Sequence, residues 1–320
     1  MKKIAVLTSG GDAPGMNACI RAVVRSAKFY GLEVMGIRRG YTGLIENDLQ
    51  NMEMRSVSDI LHRGGTMLRT ARCKEMLTIE GRKKAANTLK ENGIEGLVVI
   101  GGNGSFMGAK ALTEEFSIPA IGIPGTIDND LGYTDYTLGF DTAVNTCIDI
   151  VNKLRDTMAS HERINIVEVM GRSCGDIALY TGIASGAEII VVPEVQYDID
   201  DIIFRIRRSR ENGKVSNIIV LAEGVCKAEE FSKLLKDKIE YSIRCTTIGH
   251  IQRGGSPTMH DRLLAAQFGV RAVELLKEGI GKRVIGIKNN KIIDMDIIEA
   301  LSMEGQFDLE LYNTMQRISM

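Results

Sequence analysis

The chain lacks what would tie it to a membrane, a disulfide frame or a polyanion. No apolar stretch approaches the length of a membrane span. Lysine and arginine number 40 against 41 acidic residues. That balance argues against nucleic acid or a membrane surface as partner, since either favours a basic excess. The six cysteines (Cys19, Cys73, Cys147, Cys174, Cys226 and Cys245) are scattered, with no CxxC spacing. They read as free thiols in a reducing compartment, not as a zinc site or disulfide scaffold. His62, His161 and His260 show no metal-ligand spacing. No solenoid-length repeat and no low-complexity linker is present. MKKIAVLTSGG opens on a strand-like run with no sign of a signal peptide, so a cytoplasmic location is expected. Proline is scarce, 5 residues against 34 glycines, so glycine supplies most of the punctuation.

What is present is a two-lobe length, 320 residues, with 44% hydrophobic residues to fill the interior. Short apolar runs recur: KKIAVLTS, LEVMGI, EGLVVIGG, PAIGIPG, INIVEVMG, EIIVVPE, NIIVLAEG, TTIGHI and RVIGI. Amphipathic segments such as MNACIRAVVRSAKFY, FDTAVNTCIDIVNKLRDTMAS and DRLLAAQFGVRAVELLKEG separate them. Strand-then-helix alternation with unbroken Val/Ile/Leu runs predicts an α/β fold whose parallel sheet is covered on both faces. The glycines cluster directly after the strands, and ligands of open parallel sheets bind at those carboxyl ends.

Three such loops stand out. TSGGDAPGMN, residues 8 to 17, turns on two glycines; Asp12 is placed to cap, and Pro14 sits near the first helical turn. Glycines let backbone N–H groups approach an anion, and a helix N-terminus adds about half a positive charge. IGGNGSFMG also follows a strand and opens a helix, yet it is no Walker A loop, because no Gly-Lys-Ser/Thr follows. Its GxGxxxG spacing is one residue too long for the dinucleotide fingerprint. GIPGTIDNDL places Asp128 and Asp130 either side of Asn129. In extended chain both carboxylates point one way, which suits one acid to hold Mg²⁺ and the other to accept a hydroxyl proton. Arg72, Arg163, Arg172, Arg244, His250 and Arg253 lie in stretches of a kind that clamp phosphates. RIRRSRENGK is a solvated helix face or an anion site. Together these residues predict a Mg²⁺-dependent phosphoryl transferase acting on a small hydroxylated, phosphorylated substrate.

LTSGGDAPGMNACIR, VVIGGNGS, PGTIDND, VEVMGR-CGD and GHIQRGGSP resemble, in order and spacing, the motifs of bacterial ATP-dependent 6-phosphofructokinases. The match runs from the first strand to beyond residue 290. The resemblance implies two similar lobes, each a mostly parallel sheet flanked by helices in a three-layer sandwich. The larger, nucleotide-binding lobe would be 1–139 with 256–305; the smaller, sugar-phosphate lobe would be 140–255 with 306–320. It implies a homotetramer with fructose 6-phosphate in the cleft between lobes. Asp128 would take the proton from the 1-hydroxyl, Asp130 would assist with the metal, and Thr126 would place the sugar and phosphoryl group. Arg72 and Arg172 would neutralise the transferring group. Ile127, Met170, Gly171 and Glu223 would hold the sugar, with His250, Ile251, Gln252 and Arg253 on its 6-phosphate. Arg163 and Arg244 would come from a neighbouring subunit. Gly11, Tyr41, Arg72, Cys73, Gly102, Asn103, Gly104, Ser105 and Gly108 would line the ATP site. Arg21, Arg25, Asp59, Arg155, Glu188 and Lys214 match the family's interface site for effectors such as ADP or phosphoenolpyruvate.

One agreement and two departures matter. Similar enzymes that use pyrophosphate carry an acid where this chain has Gly104 and a lysine where it has Gly125, so both glycines favour ATP. Asn103 stands where the family has an aspartate that helps bind Mg²⁺–nucleotide. Its amide oxygen can still meet the ion but brings no charge. Two readings follow: a working kinase with weaker Mg²⁺–ATP handling, or a weakly active or regulatory paralogue. Met54, Asn212 and Val215 replace basic residues common at the effector site; Arg55 is one residue along. A nucleotide-binding kinase of NAD or lipids shares a loop like IGGNGS but lacks the TSGGDAPG and GHIQRGGSP motifs.

Overall fold

The structure, a computed structural model, describes residues 1–319. Among the described residues eleven strands occur. They are β1 (Lys3–Thr8), β2 (Glu33–Ile37), β3 (Leu49–Asn51), β4 (Gly96–Gly101), β5 (Ala120–Pro124) and β6 (Ile164–Val169). β7 (Ile189–Val191), β8 (Asn217–Ala222), β9 (Ile243–Thr247), β10 (Arg283–Lys288) and β11 (Lys291–Asp296) follow.

The chain forms two compact units. One comprises Met1–Ile127, Leu131–Thr142 and Arg253–Gly305. Its sheet has the order β11-β10-β5-β4-β1-β2-β3. The five inner strands are parallel, and the edge strands β3 and β11 are antiparallel to their neighbours. Every residue of β4 and β5 is buried, as expected of strands covered on both faces. Ala5, Leu7, Leu97 and Val99 face Ala85 and Leu89 of helix Ile79–Glu91 and Phe106, Ala109 and Leu112 of helix Asn103–Phe116. Full burial of a Leu or Val side chain contributes roughly 1.5–3 kcal/mol. Helices Met16–Phe29 and Met259–Lys277 lie against each other, and the second also packs on β5.

The other unit comprises Asp128–Asp130, Ala143–Gln252 and the chain from Gln306 onward. Its sheet, β7-β8-β6-β9, is parallel throughout. Ile164, Ile166, Ile219 and Leu221 pack on Ile202, Ile203 and Ile206 of helix Ile199–Glu211 and on Phe231 and Leu235 of helix Ala228–Lys236. RIRRSRE lies on a helix that buries Ile202, Ile203 and Ile206, with Arg207 and Arg208 exposed. Helix Asp176–Ser185 packs on β7 and β8.

The run TTIGHI does not form one strand. β9 is Ile243–Thr247, and Gly249–Arg253 turns as a 3₁₀ helix. No helix of the described residues is long and apolar enough to cross a membrane.

Candidate active site

In the first unit, glycine loops close the carboxyl ends of β1, β4 and β5. After β1, Ser9 N–H donates to the Ile100 carbonyl at 2.9 Å, joining this loop to β4. The following helix starts at Met16 behind Gly15, at φ 97° and with no side-chain cap. Asp12 is therefore not the cap the sequence suggested, because the chain needs three further residues to turn. Its carbonyl instead accepts from Arg253 Nη1 at 3.1 Å, and the Arg253 guanidinium lies over Gly11.

After β4, Asn103 is the first helical residue, behind Gly102 in extended conformation. Asn103 and Gly104 are exposed in that first turn, where intrahelical partners for N–H groups are missing and an anion is favoured. Tyr41 supports the loop from beneath. It is buried, and its hydroxyl donates to the Ser105 carbonyl at 2.6 Å. Burial, with the nearby Cys73, raises its pKa well above the ordinary phenol range. A Cβ at Gly108 would come within 2.7 Å of the Tyr41 ring.

PGTIDND leaves β5 with Gly125 N–H donating to the Gly101 carbonyl at 2.9 Å. Thr137 Oγ1 donates to the Thr126 carbonyl at 2.6 Å. Residues 128–130 then group with the second unit. The chain there is not the extended ribbon that would aim both acids one way: Asn129 sits at φ 54°, in the left-handed region. Asp128 is fully buried, whereas Asp130 is partly exposed. Arg172 Nε lies 3.2 Å from Asp128 Oδ2.

Arg172 is held where β6 ends. Met170 N–H donates to Gln252 Oε1 at 3.1 Å, and Arg172 N–H donates to Glu223 Oε1 at 3.1 Å. Gly171 between them has φ 138°, and a Cβ would lie 2.3 Å from the Cys174 carbonyl, so glycine alone fits. Gln252 is fully buried, its Oε1 also accepting from Cys147 Sγ and its Nε2 donating to the Gly249 carbonyl. It acts as a brace within the protein. His250 and Ile251, beside it, are exposed.

A profile of the family described as phosphofructokinase matches residues 3–276. An ATP-dependent 6-phosphofructokinase of Clostridioides difficile is 59% identical over 319 residues, covering 100% of both chains. One of Alkaliphilus metalliredigens is 58% identical over the same span and coverage. The chain belongs to the phosphofructokinase family. Among solved structures, phosphofructokinase of Saccharomyces cerevisiae superposes with TM-score 0.92 at 35% identity, over 98% of this chain and 50% of the yeast one. This phosphofructokinase thus spans half the length of the yeast chain. A pyrophosphate-dependent phosphofructokinase of Marinobacter aquaeolei, 21% identical with TM-score 0.87 over 97% of this chain and 86% of its own, shares the fold.

In the second unit, Arg163 and Arg244 lie apart from the Met170–Arg172 end. Arg163 precedes β6, and Arg244 pairs with Asn165 at its start. Seven residue steps at about 3.3 Å each, through the six residues of β6, put Arg163 about 23 Å from Met170. Of the effector residues, Arg155, Glu188 and Lys214 converge in the second unit: Lys214 Nζ and Arg155 Nη1 both reach Glu188 Oε1, the latter at 3.6 Å. Glu188 and Lys214 border a cavity of about 450 Å³ lined also by Arg205, Arg208 and Gln316. Arg21, Arg25 and Asp59 belong to the first unit.

Two acids escaped the sequence reading. Asp176 Oδ2 accepts from Asn129 Nδ2 at 2.9 Å, and Glu194 Oε1 accepts from Gly175 N–H at 2.7 Å. The only sequence signal was the CGD that follows the arginine. Burial chiefly, with Glu194 and Asp308 nearby, pushes the Asp176 carboxyl up to about 6, against the hydrogen bonds from Asn129 and Cys174. A carboxyl raised from 3.8 favours the fold when protonated. Its contribution is complete below 3.8 and is lost as pH rises through about 6. Asp176→Asn is expected to flatten the dependence of the urea midpoint on pH across that window. A slope identical to the parent's would show that other groups carry it.

Proposed function

We propose that this chain phosphorylates fructose 6-phosphate at the 1-hydroxyl with ATP, giving fructose 1,6-bisphosphate and ADP, in the cytoplasm. The observation that carries the reading is the buried Asp128 carboxylate paired with Arg172 in a family member whose full-length relatives bear that activity in their names. Asp128 accepts the hydroxyl proton as the phosphoryl group arrives, and Arg172 offsets charge on that group, since such transfer rests on positioning and electrostatics. Thr126, Ile127, Met170, Gly171 and Glu223 orient the sugar. His250, Ile251, Gln252 and Arg253 form its phosphate turn, with Gln252 bracing the turn from inside. Gly11, Tyr41, Arg72, Cys73 and the 102–108 loop serve the nucleotide.

The donor chemistry fits Mg²⁺, which takes oxygen ligands and commonly keeps waters and substrate phosphates beside one or two carboxylates. Asp130 and Asn103 would each offer such an ion an oxygen, one from a carboxylate and one from an amide, and it would offset charge on the donor's phosphates. The placement of Arg163, about 23 Å along the chain from Met170, and of Arg244, beside Asn165 and about 17 Å of strand from it, supports their serving a second subunit's site in a homotetramer. Arg155, Glu188 and Lys214, with Arg21, Arg25 and Asp59, would bind an anionic effector such as ADP or phosphoenolpyruvate.

The test is bisphosphate formation with ATP and with pyrophosphate, each titrated with Mg²⁺, for the parent and Asn103→Asp. Turnover with ATP and little with pyrophosphate is expected. The added charge should lower the Mg²⁺ concentration at half-maximal rate by about 3–10-fold, the equivalent of roughly 1 kcal/mol. Silence with both donors, relieved by Asn103→Asp, would instead favour the regulatory paralogue.

A further inference from the structure

The loop between the two acids makes a contact that the chemistry above leaves unused. Asn129 adopts φ 54° and donates through Nδ2 to Asp176 Oδ2 at 2.9 Å. Asp176 opens helix Asp176–Ser185, four residues beyond Arg172. The intervening loop is firmly tied: Cys174 N–H donates to the Gly171 carbonyl at 2.9 Å, and Gly175 N–H to Glu194 Oε1 at 2.7 Å. The two stretches bearing Asp128 and Arg172 therefore meet through the ion pair and through this amide–carboxylate bond.

We propose that Asn129 and Asp176 form a positioning clip that sets the Asp128 carboxylate against the Arg172 guanidinium for phosphoryl transfer, an inference resting on the kinase reading above. The Arg172 side chain is 60% exposed, so little packing holds it, and its 3.2 Å approach depends on where the two backbones are fixed. Asn and Asp are the non-glycine residues best suited to a left-handed turn. Of the two, asparagine donates to a carboxylate in its ordinary state, whereas an ionised aspartate cannot. Aspartate at 129 would place three acids in a row, facing a fourth. Asp176 in turn faces the like charges of Glu194 and Asp308, which makes a neutral donor such as the Asn129 amide a favourable neighbour.

A swap separates this role from simple folding. Asn129→Asp removes the donor and opposes two carboxylates, and kcat should fall by about 10–100-fold, the scale of an ångström-sized misplacement. Asp176→Asn alone keeps an acceptor oxygen, and kcat should stay within about 3-fold. Combining Asn129→Asp with Asp176→Asn reverses donor and acceptor, keeps a residue suited to the turn and conserves local charge. That double variant should recover kcat to within about 5-fold of the parent, with KM for both substrates little changed throughout. Asn129→Gly keeps the turn without the amide, should fold if Asn129→Asp does not, and should lose about 10-fold in kcat. A double variant no faster than Asn129→Asp, or Asn129→Gly at the parent rate, overturns the clip. A parent that makes no bisphosphate overturns the kinase reading and the clip with it, whereas an active parent without rescue overturns the clip alone.

Discussion

Asp128→Ser is expected to lower kcat by about 10²–10⁴-fold while fructose 6-phosphate still binds, the range for loss of a general base. The carboxylate is fully buried, so water cannot readily take over as base. Serine is smaller and uncharged, and so removes the proton acceptor without adding bulk. The sugar is held by other groups, which makes the expected signature a collapse of kcat with KM within a few-fold. Steady-state kinetics alongside calorimetric titration of the sugar phosphate measure both. Near-parental kcat would remove Asp128 from the base role, and lost sugar binding would assign it to the ground state.

Arg172→Leu should cost on the order of 10²–10³-fold in kcat, the loss seen when one preorganised donor to transition-state charge is deleted. The backbone of this residue is already fixed, at φ 55° with its N–H bound to Glu223, so the variant loses the guanidinium and keeps the loop. Arg172→Lys should restore only part of the rate, because an ammonium is a point charge without the planar fork. ATP and sugar affinities, measured by titration without turnover, should barely move. An Arg172→Leu enzyme at the parental rate would show that the pair with Asp128 is structural.

The apolar runs located eight of the strands, and a ninth only in part, because β1, β4, β5, β6 and β8 are buried along nearly their whole length. β3 and β11 were missed for a physical reason. Both are antiparallel edges, half-buried, with sequences LQN and KIIDMD that show no unbroken apolar stretch. β9 was misplaced toward its glycine because an edge strand alternates, and Ile243–Thr247 carries arginine and threonines. At the site, residue types were legible and their directions were not. The reading that Asp128 and Asp130 share a face assumed extended backbone, and the left-handed Asn129 breaks it. Tyr41 and Gln252 could be named as site residues but not seen to be internal supports, since burial depends on tertiary packing. Asp176 went unnoticed because its partner is 47 residues away.

Gly104 and Gly125, the positions that part ATP users from pyrophosphate users among similar enzymes, face opposite steric prospects. Among the described residues a Cβ at Gly104 would meet nothing within 4 Å, while one at Gly125 would lie 3.0 Å from Ile100 Cγ2 and 3.2 Å from Met16 Cε. A drift toward the other donor therefore has an order imposed on it. The acid at 104 can arise first as a silent passenger, neutral to folding, whereas a lysine at 125 must wait until the β4 and helix side chains beneath it have yielded. Of the two exchanges, the one at Gly125 is the sterically harder.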